Sequence, residues 1–192
     1  MTNLLFLSAS SQIGSVNWRL ASAAAELAQR AFGNNVSATV LDLTELQLPT
    51  YDGSRLDSVT LPLGVATLKA TIARSDGIFI SSDEYTGAYS ALFKNAVAWL
   101  TQTLTDGDSL FAGVPCALCG ASLRGIGSLR GHPALHQMLA ELGAKVISQH
   151  IELGTSSSPF DAAQILLPKV ERQLLEGCLG SLFVEATKKK NS

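Results

Sequence analysis

The stretch Leu4-Leu5-Phe6-Leu7-Ser8-Ala9-Ser10-Ser11-Gln12-Ile13-Gly14-Ser15-Val16-Asn17 passes from an apolar run into a serine-rich loop and then towards an alanine-rich segment. Leu4–Ser8 shows no polar alternation, which predicts a strand buried on both faces. The alanine-rich segment reads as a helix up to Phe32, with Gly33 as its stop. A strand, a polar loop and a helix in that order form the repeating unit of a parallel sheet.

The unit recurs along the chain. Val36–Leu43 reads as a second strand and Thr60–Ser75 as a second helix. Gly77–Ser82 is a third buried strand, followed by a helix over Ser90–Thr103. Val114–Gly120 is a fourth strand, and Leu129–Leu142 a helix stopped by Gly143. Lys145–Ile151 is a fifth strand, and Asp161–Ala186 the last helix. Five strands alternating with five helices predict a single α/β domain over residues 1–192, with helices on both faces of a doubly wound sheet. The common order for five parallel strands is the flavodoxin-like 2-1-3-4-5. Ligands of such sheets lie beyond the carboxyl ends of the strands, which nominates the loops Ser8–Ser15, Ser82–Ser90 and Ala121–Ser128.

Composition narrows the function classes. The 192 residues are 46% hydrophobic and only 16% charged, which excludes a disordered chain. No apolar run approaches about 18 residues, so no membrane span is expected. A net charge of −2 gives no reason to expect nucleic acid as a partner. The opening MTNLLFL lacks a basic leader, and Cys116, Cys119 and Cys178 are an odd count, so a cytoplasmic protein with reduced thiols is expected.

The first loop has the donors of an anion site. Ser10, Ser15 and Asn17 can each donate to a phosphate oxygen, Gln12 adds an amide, and the start of a helix adds backbone N–H groups. The plainer reading is that Ser15 caps the helix. Neither GxxxxGK[ST] nor GxGxxG occurs, which argues against triphosphate and dinucleotide cradles. A phosphate held mainly by hydroxyls suits a mononucleotide such as FMN.

Asp83-Glu84-Tyr85-Thr86-Gly87 through Phe93-Lys94-Asn95-Ala96-Val97-Ala98-Trp99 resembles the PEYN-G…LKNAxDW signature of the NADPH-dependent FMN reductases. The first loop is similar to that family's GSxRxxSxN loop. Leu48-Pro49-Thr50-Tyr51-Asp52 resembles its LPLYD stretch, and Gly120-Ala121-Ser122-Leu123-Arg124-Gly125 its GASPGG loop. The resemblance runs from Leu4 to about Ile151. It implies a flavodoxin-like oxidoreductase that passes hydride from NADPH or NADH through FMN to a quinone, azo, metal-oxyanion or free-flavin acceptor. Carried over by position, Ser10, Gln12, Ser15 and Asn17 hold the phosphate. Glu84, Tyr85, Thr86 and Gly87 line the isoalloxazine ring, with Ser122 near its far edge, and Val16 and Asp83 are also expected to bind the cofactor. The chemistry belongs to the cofactor, so no catalytic side chain and no metal ligand is nominated.

The sequence departs from that pattern at four places. Gln12 replaces the loop arginine, Asp83 the proline of PEYN, Thr86 its asparagine, and Leu123-Arg124 the Pro-Gly of GASPGG. Gln12, Asp83 and Arg124 motivate an alternative: a flavodoxin-like binding or assembly module with weak or lost flavin turnover.

Other patterns are weighed on the same residues. Cys116-x2-Cys119-x12-His132-x3-His136 has zinc-finger spacing, but residues three apart on a strand face opposite sides. A redox CxxC needs a helix N-terminus, which a mid-strand site lacks. Ser122 lacks the second glycine of GxSxG. Lys188–Lys190 reads as a solvated tail, and Tyr51 and Tyr89 as loop aromatics near the site. The first and third helices each carry a second apolar row, comprising Leu20, Ala24, Leu27 and Ala31 on one and Leu92 and Trp99 on the other. Either extra packing within the monomer or a homo-oligomer would cover these rows, and the resemblance implies a homodimer or homotetramer.

Overall fold

A computed structural model of the chain describes residues 1–53, 61–104, 108–122, 130–147, 151–154 and 169–191. The elements in chain order are β1 (Thr2–Ser8), α1 (Val16–Phe32), β2 (Val36–Asp42), α2 (Leu63–Ala73), β3 (Gly77–Ser81), β4 (Glu84–Tyr85), β5 (Ala88–Tyr89), α3 (Ala91–Gln102), β6 (Pro115–Ser122), α4 (Gly131–Glu141), β7 (Lys145–Val146), β8 (Ile151–Gly154) and α5 (Lys169–Lys190). Short 3-10 turns at Gly33–Asn35 and Leu43–Leu46 flank β2.

The main sheet runs β2-β1-β3-β6-β7, with β8 also on β6, and every pairing is parallel. That is the expected 2-1-3-4-5 order, with β6 as the fourth strand and β7 and β8 together as the fifth. Register aligns Asp42, Ser8, Ser81, Cys119 and Ile151 in one row across the sheet. The carboxyl ends of the central strands are therefore level, and the loops that leave them start side by side.

Alternate residues of each strand divide the core into two halves. Leu4, Phe6, Phe79, Ala117 and Cys119 pack against α1 and α5. Leu5, Leu7, Ile78, Ile80, Cys116 and Leu118 pack against α2, α3 and α4. Both faces are covered, which is why these strands read as unbroken apolar runs. Cys116 and Cys119 consequently lie on opposite faces and cannot share an ion or a disulfide. Burial pushes the Cys116 thiol up to about 12 and that of Cys178 up to about 11. A thiol so far from forming thiolate at neutral pH is chemically quiet.

Several expected boundaries move. The fifth strand forms in two pieces, because Pro115 faces Lys145 while Cys119 faces Ile151. It therefore spends more residues than β6 over the same interval. The second helix is shorter than Thr60–Ser75. It begins at Leu63, after Pro62, whose missing N–H is harmless ahead of a helix. Residues 161–168 of the expected last helix and 123–128 of the third loop lie outside the described residues. Lys188–Lys190 end the last helix as its final turn, with Lys188 and Lys190 exposed; Lys188 pairs with Glu185 at 2.8 Å, and Lys190 donates to the Met1 carbonyl. Cations at that end complement the helix dipole.

Most of the second apolar rows is covered within the chain, while Ala31 is exposed and Leu92 half-buried. Leu20, Ala24 and Leu27 are buried under α5 and the sheet, and Trp99 is buried against residues 48–51. Phe32 of α1 stacks on Phe183 of α5 at 4.2 Å. Packing within the chain therefore accounts for most of both rows.

The approach of α5 to the sheet depends on Gly77. A Cβ built there meets Ala186 Cβ at 2.9 Å, Leu182 Cδ1 at 3.1 Å and Leu4 Cδ2 at 3.2 Å. Gly77→Ala is expected to lower stability by roughly 1–3 kcal/mol through overpacking. Urea unfolding checks this, and an unchanged midpoint would mean that α5 sits more loosely on β3.

Candidate active site

The first two loops nominated from sequence and the described start of the third, Ala121 and Ser122, meet at the carboxyl ends of β1, β3 and β6, and side-chain hydrogen bonds fasten them together. Asn17, the second residue of α1, is fully buried. Its Oδ1 accepts from the Ala121 N–H at 2.9 Å and from Ser81 Oγ at 3.0 Å, and its Nδ2 donates to the Ala121 carbonyl at 3.1 Å. β3 pairs with β6 only as far as Ser81 and Cys119, with the Ser82 N–H bonding the Cys119 carbonyl. Beyond that point the Asn17 amide takes both backbone groups of Ala121, as a peptide of an extended β3 would. A side chain of the first loop thus continues the ladder between the third and fourth strands.

Two further ties reach the first loop. Ser90 caps α3 by accepting from the Phe93 N–H at 3.1 Å and donates its hydroxyl to the Ala9 carbonyl. Ser10 Oγ donates to Asp83 Oδ2 at 2.6 Å and accepts from the Gln12 N–H at 3.1 Å. Burial raises the Asp83 carboxyl above its usual range, while contacts with Ser10, Tyr85 and the backbone of Ser11 pull the other way. Burial, and then the neighbouring Asp83 charge, push Tyr85 up as well.

The loop after β3 is a hairpin that strand periodicity could not reveal. Glu84 pairs with Tyr89 and Tyr85 with Ala88, leaving Thr86 and Gly87 as a two-residue turn with φ of 52° and 79°. Positive φ at both central positions is the type I′ pattern, which favours Asn-Gly. The Glu84 carboxylate secures the hairpin, with Oε1 accepting from the Gly87 N–H at 3.2 Å and Oε2 from the Arg130 N–H at 3.3 Å. Arg130 is the cap of α4, so the hairpin is fixed to the start of that helix.

A fourth segment is held from α3. Asn95 Oδ1 accepts from the Tyr51 N–H at 2.8 Å and its Nδ2 donates to the Pro49 carbonyl at 2.9 Å. Trp99, one turn on, donates Nε1–H to the same carbonyl at 2.7 Å, and its ring meets Tyr51 edge-on. Tyr89 packs edge-on against Phe93. Both loop tyrosines therefore pack locally.

Of the expected site residues, Ser10, Ser15 and Asn17 are buried, Gln12 is exposed and Val16 is half-buried. Ser15 is the α1 cap, accepting from the Trp18 N–H at 3.0 Å. Val16 and Asn17 carry amides that lie ahead of the helix's first turn of hydrogen bonds. Asp83, Glu84 and Gly87 are half-buried, and Tyr85 and Thr86 are exposed. Ser122 ends β6 opposite Gly154. Sequence reasoning missed the carboxylate–serine tie and the asparagine bridge, because neither follows from spacing along the chain.

Two buried polar atoms at this end, Ser8 Oγ and Asp83 Oδ1, have no hydrogen-bond partner among the described residues. Ser8 closes β1 and Asp83 touches the loop that follows it. Together with the exposed Ser11–Gly14 loop and the α1 amides, they suit a ligand with an anionic group and further polar atoms.

Residues 2–156 match the sequence profile of the NADPH-dependent FMN reductases. The chain belongs to that family. It is accordingly an oxidoreductase that uses FMN and a nicotinamide co-substrate. The chain is 33% identical over 152 residues to the NADH:(hydroxy)cinnamate reductase subunit CrdA of Vibrio ruber, covering 76% of this chain and 69% of that one. It is 31% identical over 163 residues to a 2-hydroxy-1,4-benzoquinone reductase of a Burkholderia species, covering 84% of each. The flavoenzyme FerB of Paracoccus denitrificans, an NAD(P)H:(acceptor) oxidoreductase, has the same fold, with a TM-score of 0.80, 21% identity and 98% of both chains covered. No helix among the described residues of this reductase is long and apolar enough to cross a membrane.

Thr86 is a β-branched residue in the left-handed region, which costs roughly 1–2 kcal/mol. Thr86→Asn is therefore expected to stabilise the reductase by about 1 kcal/mol, read as a higher denaturation midpoint. A lower midpoint would mean that the threonine makes a compensating contact.

Proposed function

We propose that this reductase carries FMN at the carboxyl ends of β1, β3 and β6 and delivers reducing equivalents from NADH or NADPH to a small quinone-type acceptor. The observation that carries the reading is the joining of the first loop, the hairpin and the end of β6 by Asn17 and Asp83 into one polar surface beside the α1 N-terminus. Ser10, Gln12, Ser15, Val16 and Asn17 belong to the phosphate side of the site. The Ser15 hydroxyl can donate outward while its oxygen accepts from Trp18, and the α1 amides favour an anion electrostatically. Glu84, Tyr85, Thr86 and Gly87 belong to the ring side, where the hairpin is a fixed wall because Glu84 bonds both its turn and α4, and Asp83 stands between the two sides through its bond with Ser10. Ser122 stands at the opposite edge.

The cofactor supplies acceptance and donation of a hydride, which no side chain here could perform. The chain's own part is to bind, orient and leave one face of the ring accessible. A quinone-type acceptor is supported by the Burkholderia relative, and NADH as a reductant by the Vibrio relative. Azo compounds, metal oxyanions and free flavin fit the same open face. Association into a homodimer or homotetramer is supported by one exposed row on α5, Val170, Leu174 and Val184. Buried thiols and a nicotinamide reductant support a cytoplasmic setting.

The purified protein is expected to be yellow, or to become yellow with FMN, and to bleach under NADH or NADPH without oxygen. A benzoquinone should then restore the colour. Failure to bind FMN at saturating concentration overturns the reading. Binding without reduction by either nicotinamide favours the module that has lost flavin turnover.

A further inference from the structure

Asp83 is an unusual group to find among the donors of an anion site. Its Oδ2 takes the Ser10 hydroxyl hydrogen at 2.6 Å, and the backbone of Ser11 contacts the same carboxyl group. Ser10 Oγ in turn accepts from the Gln12 N–H at 3.1 Å. Three consecutive loop residues are thus oriented on a carboxylate supplied by the neighbouring loop. The adjoining Glu84 spends both oxygens on backbone amides of Gly87 and Arg130, and among the described residues no cation pairs with Asp83. Its second oxygen, Oδ1, is buried without a hydrogen-bond partner among the described residues. The carboxyl group at this position is therefore partly desolvated and faces no cation among the described residues.

We infer that Asp83 sets this enzyme's preference between phosphorylated and unphosphorylated flavin, by offering the loop donors an internal anion and repelling a phosphate bound beside it. The inference rests on the proposed placement of FMN and deepens it. A flavin phosphate seated on residues 10–15 must share Ser10 with the carboxylate or displace it, and it sits within a few ångströms of like charge, where repulsion is weakly screened. Riboflavin carries no phosphate and meets neither obstacle. The carboxylate thus narrows the advantage that FMN would otherwise draw from the helix N-terminus. The same contact, extended to Tyr85, ties the loop to the hairpin, so the charge also has a positioning role on the ring side.

The test is fluorescence titration of the apoprotein with FMN and with riboflavin, in parent, Asp83→Asn and Asp83→Ala. Asparagine keeps the shape and can still accept from Ser10, so it isolates the charge; alanine guards against a new contact made by the amide. In both variants the ratio of FMN affinity to riboflavin affinity is expected to rise on the order of tenfold. An FMN-to-riboflavin affinity ratio that is unchanged or lower in both variants overturns the inference while leaving the FMN site intact. Absence of binding by either flavin to all three proteins overturns the placement of the cofactor, and this inference with it.

Discussion

The site depends on one side-chain amide doing the work of a peptide bond. Asn17 gives Ala121 both the acceptor and the donor that a longer β3 would have supplied, and it takes the Ser81 hydroxyl as well. A buried backbone group left unpaired costs about 1–3 kcal/mol, so β6 could not run past the end of β3 without such a substitute. The consequence is geometric. The start of α1, the end of β3 and the end of β6 become one rigid corner at the point where strand order reverses. An anion-binding helix end and a polar strand edge are thereby held at fixed separation, which is what a ligand with a charged tail and a planar head requires.

The other ties extend that corner outward. Ser90 fixes α3 to the first loop, Asp83 fixes the hairpin to it, and Glu84 fixes the hairpin to α4. Asn95 and Trp99 hold the segment after β2 against α3. The four family-like segments are thus the two ends of a small number of hydrogen-bonded pairs. Their spacing in sequence records contacts that only the folded chain brings together.

That explains what the sequence disclosed and what it withheld. Strands such as Leu4–Ser8 and Gly77–Ser82 were legible because burial on both faces leaves their middles, Leu4–Leu7 and Ile78–Ile80, as unbroken apolar runs. Strand order followed from the alternation with helices, and the site's location followed from strand order. Short elements stayed hidden: β4 and β5 are two residues each, too short for any periodicity, and only Thr86-Gly87 hinted at a turn. The second apolar rows of α1 and α3 left two readings open, and α5 with residues 48–51 shows that packing within the chain accounts for most of them. Ser15 as a cap and Asn17 as a bridge also show why residue type near a proposed phosphate does not by itself reveal which group a side chain serves.

The departures at Asp83 and Thr86 lie on the hairpin and leave the corner untouched, so they adjust the site without dismantling it. The most direct test of the corner itself is amide hydrogen exchange in Asn17→Ala against the parent protein. In the parent, the Ala121 N–H should exchange as slowly as Ala117 and Leu118 in the middle of β6. In the variant, Ala121 should exchange many-fold faster while those two amides stay protected. Equal protection of Ala121 in both proteins would contradict the account, because it would mean that something other than the Asn17 amide completes the sheet at the site.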